Sequence, residues 1–363
     1  MKQKKTKIFF INFFLFLILY IIFDILFSIF FLKYDVSYKC YDYNHDGTFY
    51  KLQKNCFAKM RLLENLSTFD VYTNELGNRY SGKKKIEKEK KNIIFAGDSF
   101  MFGVGVEWEN TITGILENAL FDYNIFNLGV PSYSPTVYKY LIENLIKEKK
   151  IEKVFILLDI TDIGDESGRW IQKNGIPYLV QDKIFLKQSF FEKTKRKYFK
   201  GTFIIINTIN DFFRDMRKKI IPKKNVYIPS IHGNNSGSFL YKDHHLINWD
   251  VEKGINKTKI IMKEIGEILK KEEIELNIII LPWPDTMVFG QKIFNFENFG
   301  QIVCELSKCK NLVNLFPEFQ NIKNLNESWL EDLYLENDIH LNKNGNYLVA
   351  KNIISTVFNR KIE

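Results

Sequence analysis

Short apolar runs, separated by longer amphipathic stretches, make up most of the chain after residue 91. The runs predict buried strands at 92–98, 124–129, 153–160, 276–281 and 311–315. The stretches predict helices at 109–121, 135–149, 255–271 and 343–358, with Asn110 as the cap of the first. Strands that alternate with helices form a parallel sheet covered on both faces. We therefore expect an α/β fold, a three-layer α/β/α sandwich with a parallel sheet of about five strands.

The N-terminus has a different pattern. Residues 1–7 contain four lysines, and residues 8–32 form an almost unbroken apolar run. This run is long enough for a membrane-spanning helix of about 20 residues. It is longer than the apolar region of a cleavable signal peptide, which has roughly 7–15 residues, and no small-x-small cleavage pattern follows it. We predict a cytoplasmic tail (1–7) and an uncleaved transmembrane anchor (8–32).

The lysines of residues 1–7 predict the orientation of the anchor, because they hold the N-terminus in the cytoplasm. The expected localisation is therefore the inner (cytoplasmic) membrane, single-pass, with the rest of the chain in the periplasm or outside. Asp24 interrupts the apolar run. We expect this residue to lie near an interface through helix tilt, or to pair with a partner helix.

Two further segments break the alternation. Residues 33–91 are polar and rich in aromatic residues, and we expect this connector to pack on the following domain, 92–363. Residues 163–250 are a long insertion after the third strand, with a hairpin predicted around 176–187 and an apolar centre at 203–209. The insertion could be a lid or substrate wall, an amphipathic segment lying on the membrane, or a surface helix.

Charge and cysteine content limit the kinds of ligand and binding partner that the sequence predicts. The net charge is +9, but its lysine runs are mixed with glutamates, a pattern typical of solvated faces, and no nucleic-acid motif accompanies them. Weak attraction to anionic lipid or glycan remains open. The four cysteines form two local pairs, Cys40 with Cys56 and Cys304 with Cys309. They could be disulfides in an exported chain or free thiols. No metal-ligand spacing occurs, so we expect neither a metal nor a cofactor.

Candidate chemistry lies at the two ends of the domain. The first strand ends in Gly97-Asp98-Ser99, which places a serine at the carboxyl end of a sheet strand, where ligands bind in parallel sheets. Gly-Asp-Ser is also common turn chemistry. Asp338 and His340 lie two residues apart just before the last helix. A nucleophilic serine needs a base, and the base needs a group that orients it.

This order of motifs resembles the SGNH hydrolases, a branch of the GDSL esterase family. Residues 127–131 match the family's glycine block, and residues 158–162 lie where the family usually has Gly-x-Asn-Asp. The resemblance covers roughly residues 92–358 and implies a flavodoxin-like sandwich. It implies that Ser99 is the nucleophile, His340 the base and Asp338 the orienting carboxylate.

The resemblance also implies an oxyanion hole made by Ser99, Gly129 and Thr161. Two departures from the family pattern matter. Many members have the aspartate three residues before the histidine, where this chain has Asn337, so Asn337 is an alternative orienter. The two-residue spacing is similar to that of alginate acetylation proteins. Thr161 stands in place of the usual asparagine.

The function implied is a membrane-anchored, extracytoplasmic serine esterase or O-acyltransferase. Its expected substrate is an acyl ester, such as an acetyl ester of a cell-envelope polysaccharide. Two alternatives stay open: a lipid or thioester hydrolase, and a catalytically degenerate glycan-binding or scaffold protein. A nucleotide-binding α/β domain is disfavoured because residues 97–105 follow neither dinucleotide-binding nor P-loop glycine spacing.

Overall fold

The computed structural model describes residues 2–30, 40–42, 48–61, 68–83, 86–180, 199, 201, 202, 205, 209, 250–291, 294–336 and 338–360. The chain divides into two compact units. One unit comprises residues 1–36 and 182–227, and the other comprises residues 37–181 and 228–363.

Twelve strands occur in the described part of the chain: β1 Tyr41–Asp42, β2 Lys51–Leu52, β3 Phe57–Arg61, β4 Thr68–Thr73, β5 Arg79–Tyr80, β6 Lys91–Ala96, β7 Tyr123–Asn127, β8 Ile151–Leu158, β9 Trp170–Lys173, β10 Ile176–Leu179, β11 Glu275–Ile280 and β12 Asn311–Asn314. The helices with bounds are α1 Lys2–Phe30, α2 Ser99–Phe102, α3 Ile112–Ala119, α4 Pro135–Glu148, α5 Ile160–Gly168, α6 Val251–Lys271, α7 Pro284–Phe289, α8 Phe296–Ser307, α9 Phe316–Leu325, α10 Trp329–Leu333 and α11 Lys343–Ile353. A 3₁₀ turn, Trp108–Asn110, precedes α3, and a π turn, Ile354–Phe358, follows α11.

The large unit is built on one eight-stranded sheet with the order β12-β11-β8-β6-β7-β5-β4-β3. The five strands β6, β7, β8, β11 and β12 are parallel, and β3, β4 and β5 extend the sheet antiparallel beyond β7. The chain passes from β6 to β7 on one side and then returns to β8 on the other. This change of direction places a switch point at the carboxyl end of β6, where ligands bind in sheets of this kind.

Helices cover both faces of the sheet. Phe155 on β8 stacks on Phe358 of the π turn, with ring centroids 6.0 Å apart. Ile280 on β11 contacts Gly300 of α8, and its register partner on β8 is Leu158. Because Phe155 and Leu158 are three positions apart on one strand, they point to opposite faces. The predicted α/β/α class is therefore confirmed, with a larger sheet than five strands because residues 57–80 add three.

Three sequence predictions need correction. The helix predicted from residue 109 begins at Ile112, because Thr111 rather than Asn110 caps it by accepting a 2.9 Å hydrogen bond from Gly114 N–H. The strand predicted to reach residue 160 ends at Leu158, because Asp159 caps the next helix. The hairpin predicted at 176–187 lies at 170–179, with its turn at Asn174-Gly175, where both residues have positive φ. Residues 181–187 of that prediction lie outside the described residues.

Both cysteine pairs are joined. Cys40 and Cys56 have Cα atoms 5.7 Å apart, and Cys304 and Cys309 have Cα atoms 4.9 Å apart, within the usual range for disulfides. The first bond joins the start of the described connector to the loop before β3. The second closes the turn between α8 and β12. The alternative of free thiols, open from the sequence, does not hold in this structure.

The small unit contains α1. Its segment Lys7–Ile29 is long and apolar enough to cross a membrane. Core helices and signal sequences also meet this criterion, but most side chains from Ile8 to Phe23 are exposed here rather than buried in a core.

Candidate active site

Ser99 is placed by the abrupt end of β6. Residues Ile93–Ala96 are fully buried, and Asp98 caps the four-residue helix α2 by accepting a 2.9 Å hydrogen bond from Phe100 N–H. The helix ends at Gly103, which has φ 80°. Ser99 is half-buried, whereas the following three residues are buried. The serine is thus the half-buried first residue of a short, well-packed turn at the carboxyl end of a central strand.

Asn127, the last residue of β7, holds this turn from one side. Its Nδ2 donates to the carbonyl of Met101 (2.9 Å) and to Thr113 Oγ1 (2.8 Å), and its Oδ1 accepts from Gly129 N–H (2.8 Å). A Cβ atom at residue 129 would lie 2.5 Å from Phe102 N. Gly129 therefore allows the backbone after β7 to approach α2, and its N–H is bonded to Asn127.

Arg79 holds the same turn from the antiparallel side of the sheet. It is 1% exposed, and its Nη1 donates to the carbonyls of Phe102 (2.7 Å) and Gly103 (2.6 Å). Its Nη2 donates to the carbonyls of Val106 (2.8 Å) and Asp70 (3.2 Å). Burial lowers the pKa of Arg79 to about 10, an effect that nearby Glu107 and other groups partly offset. At neutral pH the guanidinium stays charged.

His340 and Asp338 lie in the loop before α11. His340 Nδ1 is 2.5 Å from Asp338 Oδ1, and the backbone N–H of His340 donates to the same oxygen at 2.8 Å. Both side chains are mostly buried. The structure therefore pairs Asp338 with His340, as the sequence predicts. Asn337, the alternative orienter, lies outside the described residues.

Phe100 brings the two ends of the domain together. Its ring centroid lies 5.2 Å from that of His340 and 6.2 Å from that of Trp283. The histidine thus packs on the residue that follows Ser99. His340 Nε2 is buried and has no hydrogen-bond partner among the described residues. The Ser99 hydroxyl donates to Asp98 Oδ2 at 3.0 Å, so a hydrogen bond from Ser99 to His340 is not formed here.

Two buried carboxyl groups adjoin this arrangement. Burial raises the pKa of Asp98 well above its usual value, and the charge of Asp159 raises it further. Burial also raises the pKa of Asp159, although hydrogen bonds from Thr161 oppose that shift. Two carboxylates cannot both ionise at low cost in a dry site. The pair therefore retains a proton to a higher pH than an exposed aspartate would.

Thr161 lies in the first turn of α5. Its N–H and its hydroxyl both donate to Asp159 Oδ1, and Asp162 Oδ2 accepts in return from Asp159 N–H at 2.9 Å. This is a capping box that starts α5 directly after β8. Of the residues expected to form an oxyanion hole, Thr161 and Gly129 thus have their donor hydrogens bonded to Asp159 and Asn127.

The predicted site residues do not include Arg79, Asn127 or Ser132. Ser132 follows β7, is half-buried, and has φ 62°, a conformation uncommon for residues other than glycine. Its N–H makes no hydrogen bond to another described residue, while its carbonyl accepts from Trp170 Nε1 at 2.9 Å. No sequence signal marks Ser132, because a serine in a loop does not reveal its φ angle. Asn127 belongs to the glycine block, which was its one signal.

Neither protein-family models nor curated proteins match this chain. Solved structures with a similar arrangement include an α/β hydrolase from the metagenome of Lake Arreo, which is 10% identical with a TM-score of 0.42 over 73% of this chain and 94% of that chain. An acetyl xylan esterase variant from Geobacillus stearothermophilus is 10% identical with a TM-score of 0.41, over 75% and 97%. An esterase from Pseudoalteromonas sp. is 11% identical with a TM-score of 0.38, over 74% and 98%. Likenesses this distant decide neither family nor reaction.

Replacing Arg79 tests whether its hydrogen bonds to backbone carbonyls stabilise the turn that contains α2. Arg79→Met removes four hydrogen bonds to backbone carbonyls, and three of these bonds are buried. We expect the free energy of unfolding to fall by about 3 kcal/mol or more. The measurement is urea unfolding of the detergent-solubilised full chain, followed by near-ultraviolet circular dichroism.

Arg360→Met is the matched control. Arg360 makes two hydrogen bonds, both to the carboxylate of Asp122, and the side chains of both residues are well exposed. Exposed ion pairs contribute little to stability, so this variant should unfold close to the wild-type midpoint. Equal urea midpoints for the Arg79 and Arg360 variants would contradict a stabilising role for the Arg79 hydrogen bonds.

The carboxyl pair predicts a specific pH dependence. Because the folded pKa of Asp98 is raised, the folded protein holds a proton that the unfolded chain releases above about pH 4. Stability therefore falls as pH rises from about 4 through the folded pKa. Asp159→Asn keeps an acceptor oxygen for Thr161 but removes the charge facing Asp98, so this fall should be smaller by about 1 kcal/mol or more.

The measurement is urea unfolding of the detergent-solubilised full chain at several values between pH 5 and pH 8. Glu327→Gln, at an exposed position, is the control and should retain the wild-type slope. An Asp159→Asn variant with the wild-type slope would show that the two carboxyl groups do not share a proton.

Proposed function

We propose that this protein is a serine esterase or O-acyltransferase that uses Ser99, His340 and Asp338. The observation that carries the proposal is the packing of the Asp338–His340 pair on Phe100, next to Ser99, at the switch point of a parallel sheet. These residues are more than 230 positions apart in the chain. Their proximity supplies the three groups that serine-mediated acyl transfer requires.

The mechanism begins with a rotation of the Ser99 hydroxyl from Asp98 to His340 Nε2. Hydrogen bonds of this type are often unformed before substrate binds. Nε2 then accepts the hydroxyl proton as Ser99 Oγ attacks the acyl carbonyl carbon. Asp338 accepts from Nδ1–H, which holds the ring and stabilises its charged form. Collapse of the tetrahedral intermediate breaks the ester C–O bond, and the leaving alcohol takes the proton from Nε2.

The resulting acyl-enzyme is released by a second attack. Water or a sugar hydroxyl gives a proton to His340 Nε2 and attacks the acyl carbon, and Ser99 Oγ leaves with that proton. Water as acceptor gives hydrolysis, and a sugar hydroxyl gives transfer. The two reactions share every residue named here, so we propose the pair of reactions rather than one of them.

The oxyanion donors are also a proposal. Ser99 N–H, Gly129 N–H and Thr161 are the groups implied by the resemblance. Of these, Gly129 and Thr161 would have to exchange their present partners. Each correctly placed donor contributes about 100- to 1000-fold in rate.

We further propose that the enzyme is anchored in the inner membrane with the large unit outside the cytoplasm. The apolar length of α1, the lysines in its first two turns and the two disulfides all support export. A cell-envelope polysaccharide carrying acetyl esters is the substrate that fits this placement.

A second candidate is a non-catalytic glycan-binding or scaffold protein. Three observations favour it: Ser99 is bonded to Asp98, and the donor hydrogens of Gly129 and Thr161 are bonded elsewhere. A lipid or thioester hydrolase has no comparable observation among the described residues. Activity measurements separate the two candidates directly.

The test uses the detergent-solubilised full chain with a chromogenic acetyl ester. Ser99→Ala and His340→Gln should each lower kcat/KM at least about 1000-fold, because each removes a reacting group. Ser355→Ala, at an exposed position, is the control and should retain wild-type turnover. Wild-type protein that is folded and inert, or variants that turn over like the control, would support the non-catalytic candidate instead.

A further inference from the structure

One face of the apolar helix α1 carries three polar side chains. Tyr20, Asp24 and Ser28 follow one another at intervals of four residues, so they lie on the same side of the helix. Asp24 is 3% exposed and Ser28 is 1% exposed, whereas most neighbouring apolar side chains are exposed. Asp24 and Ser28 are therefore covered by another part of the chain, although a lone membrane anchor would leave them in lipid.

Two residues of the insertion cover Asp24 and Ser28. Thr202 donates its N–H to both carboxyl oxygens of Asp24 (3.2 Å each), and its hydroxyl also donates to Asp24. Gly201 N–H donates to Ser28 Oγ at 3.3 Å, and the Tyr20 hydroxyl lies 2.9 Å from Thr202 Oγ1. All of these residues belong to the small unit.

The bonding pattern identifies the start of a second helix. Gly201 and Thr202 are helical, as are Ile205 and Ile209. N–H groups in the first turn of a helix have no partner within that helix. A carboxylate at this end satisfies them and interacts favourably with the helix dipole. Asp24 therefore supplies, from α1, the cap of the helix that carries Thr202.

The second helix exposes apolar side chains away from this contact. Ile205 is 51% exposed and Ile209 is 49% exposed, and their spacing of four places them on one side. An exposed apolar face beside a candidate membrane anchor fits a helix that lies in the membrane interface.

The depth of Asp24 agrees with an interfacial position. The apolar segment of α1 ends at Ile29, five residues after Asp24. At 1.5 Å per residue, Asp24 lies roughly 7.5 Å inside that end. Interfacial helices bury their apolar face about 5–10 Å into the boundary between headgroups and acyl chains. A helix bonded to Asp24 would therefore begin at this depth, where the exposed side chains of Ile205 and Ile209 can contact acyl chains.

We propose that the helix containing Gly201, Thr202, Ile205 and Ile209 is a second membrane element, docked on α1 through Asp24 and lying in the membrane interface. This inference rests on the anchoring part of the proposed function and goes beyond it. It gives Asp24 a docking role, and it makes part of the insertion a lipid-binding element.

The first test measures what surrounds the two isoleucines. The full chain carrying Ile205→Cys or Ile209→Cys is labelled with an environment-sensitive fluorophore and reconstituted in nanodiscs of mixed neutral and anionic lipid. Lipid brominated near the headgroup should quench both labels at least about threefold more than aqueous iodide does. Ile171→Cys, 38% exposed on β9 of the large unit, is the control and should show the reverse order. Iodide quenching of residues 205 and 209 equal to that of residue 171 would overturn the proposal.

The second test measures docking. Asp24→Leu removes the acceptor but makes α1 more apolar, so membrane insertion is retained. Iodide quenching of a label at Ile205→Cys should rise at least about threefold in this background. Asp24→Asn keeps an acceptor oxygen and should behave like the parent. Unchanged quenching with Asp24→Leu would contradict docking through this residue.

Extraction with alkaline carbonate separates failure of this inference from failure of the anchor. A full chain released from membranes by carbonate would refute both. A chain that resists extraction but shows iodide-accessible labels would leave the anchor intact and refute the interfacial helix alone. Crosslinking of residue 205 to a second protein, without lipid quenching, would also refute it.

Discussion

The position of α2 depends on one pair of facing residues in the sheet. Arg79 on β5 and Asn127 on β7 are register partners at the point where the antiparallel strands join the parallel ones. Arg79 binds two carbonyls at the end of α2, and Asn127 binds the carbonyl of Met101 within it. The last carbonyls of a helix have no partner within it, and a four-residue helix consists almost entirely of such ends. These two side chains supply donors for the carbonyls of α2, while Asp98 accepts from Phe100 N–H at its start.

Fixing α2 also fixes the relation between the two ends of the domain. Phe100 is held against His340, so the histidine approaches α2 through packing rather than through a bond to Ser99. His340 is oriented by Asp338 from the other side. In the proposed mechanism the Ser99 hydroxyl rotates from Asp98 to His340 Nε2, and Gly129 and Thr161 exchange their present hydrogen-bond partners. Retention of a proton by Asp98 and Asp159 would ease that rotation, because a neutral carboxyl group holds the hydroxyl less strongly than a carboxylate.

The parallel core and the Asp338–His340 pair could be predicted because local pattern determines them. An apolar run ending in Gly97-Asp98-Ser99 specifies a buried strand and a sharp turn, and two residues on one loop are neighbours whatever the fold. The roles of Arg79 and Asn127 depend on pairing between distant strands, which periodicity does not report. The sequence also does not reveal the hydrogen-bond partner of Asp24, because Thr202 lies 178 residues away. The φ angle of Ser132 and the bonds of Thr161 depend on local geometry that residue type alone leaves open.

The most direct test of the account is to locate the acyl group after reaction. The full chain in detergent is mixed with a chromogenic acetyl ester, quenched in acid within one turnover, digested, and analysed by mass spectrometry. The account predicts an acetyl group on Ser99 in wild-type protein and none there in His340→Gln under the same conditions. An acetyl group on another residue, or equal acetylation of Ser99 without His340, would contradict the claim that these two ends of the chain form one catalytic site.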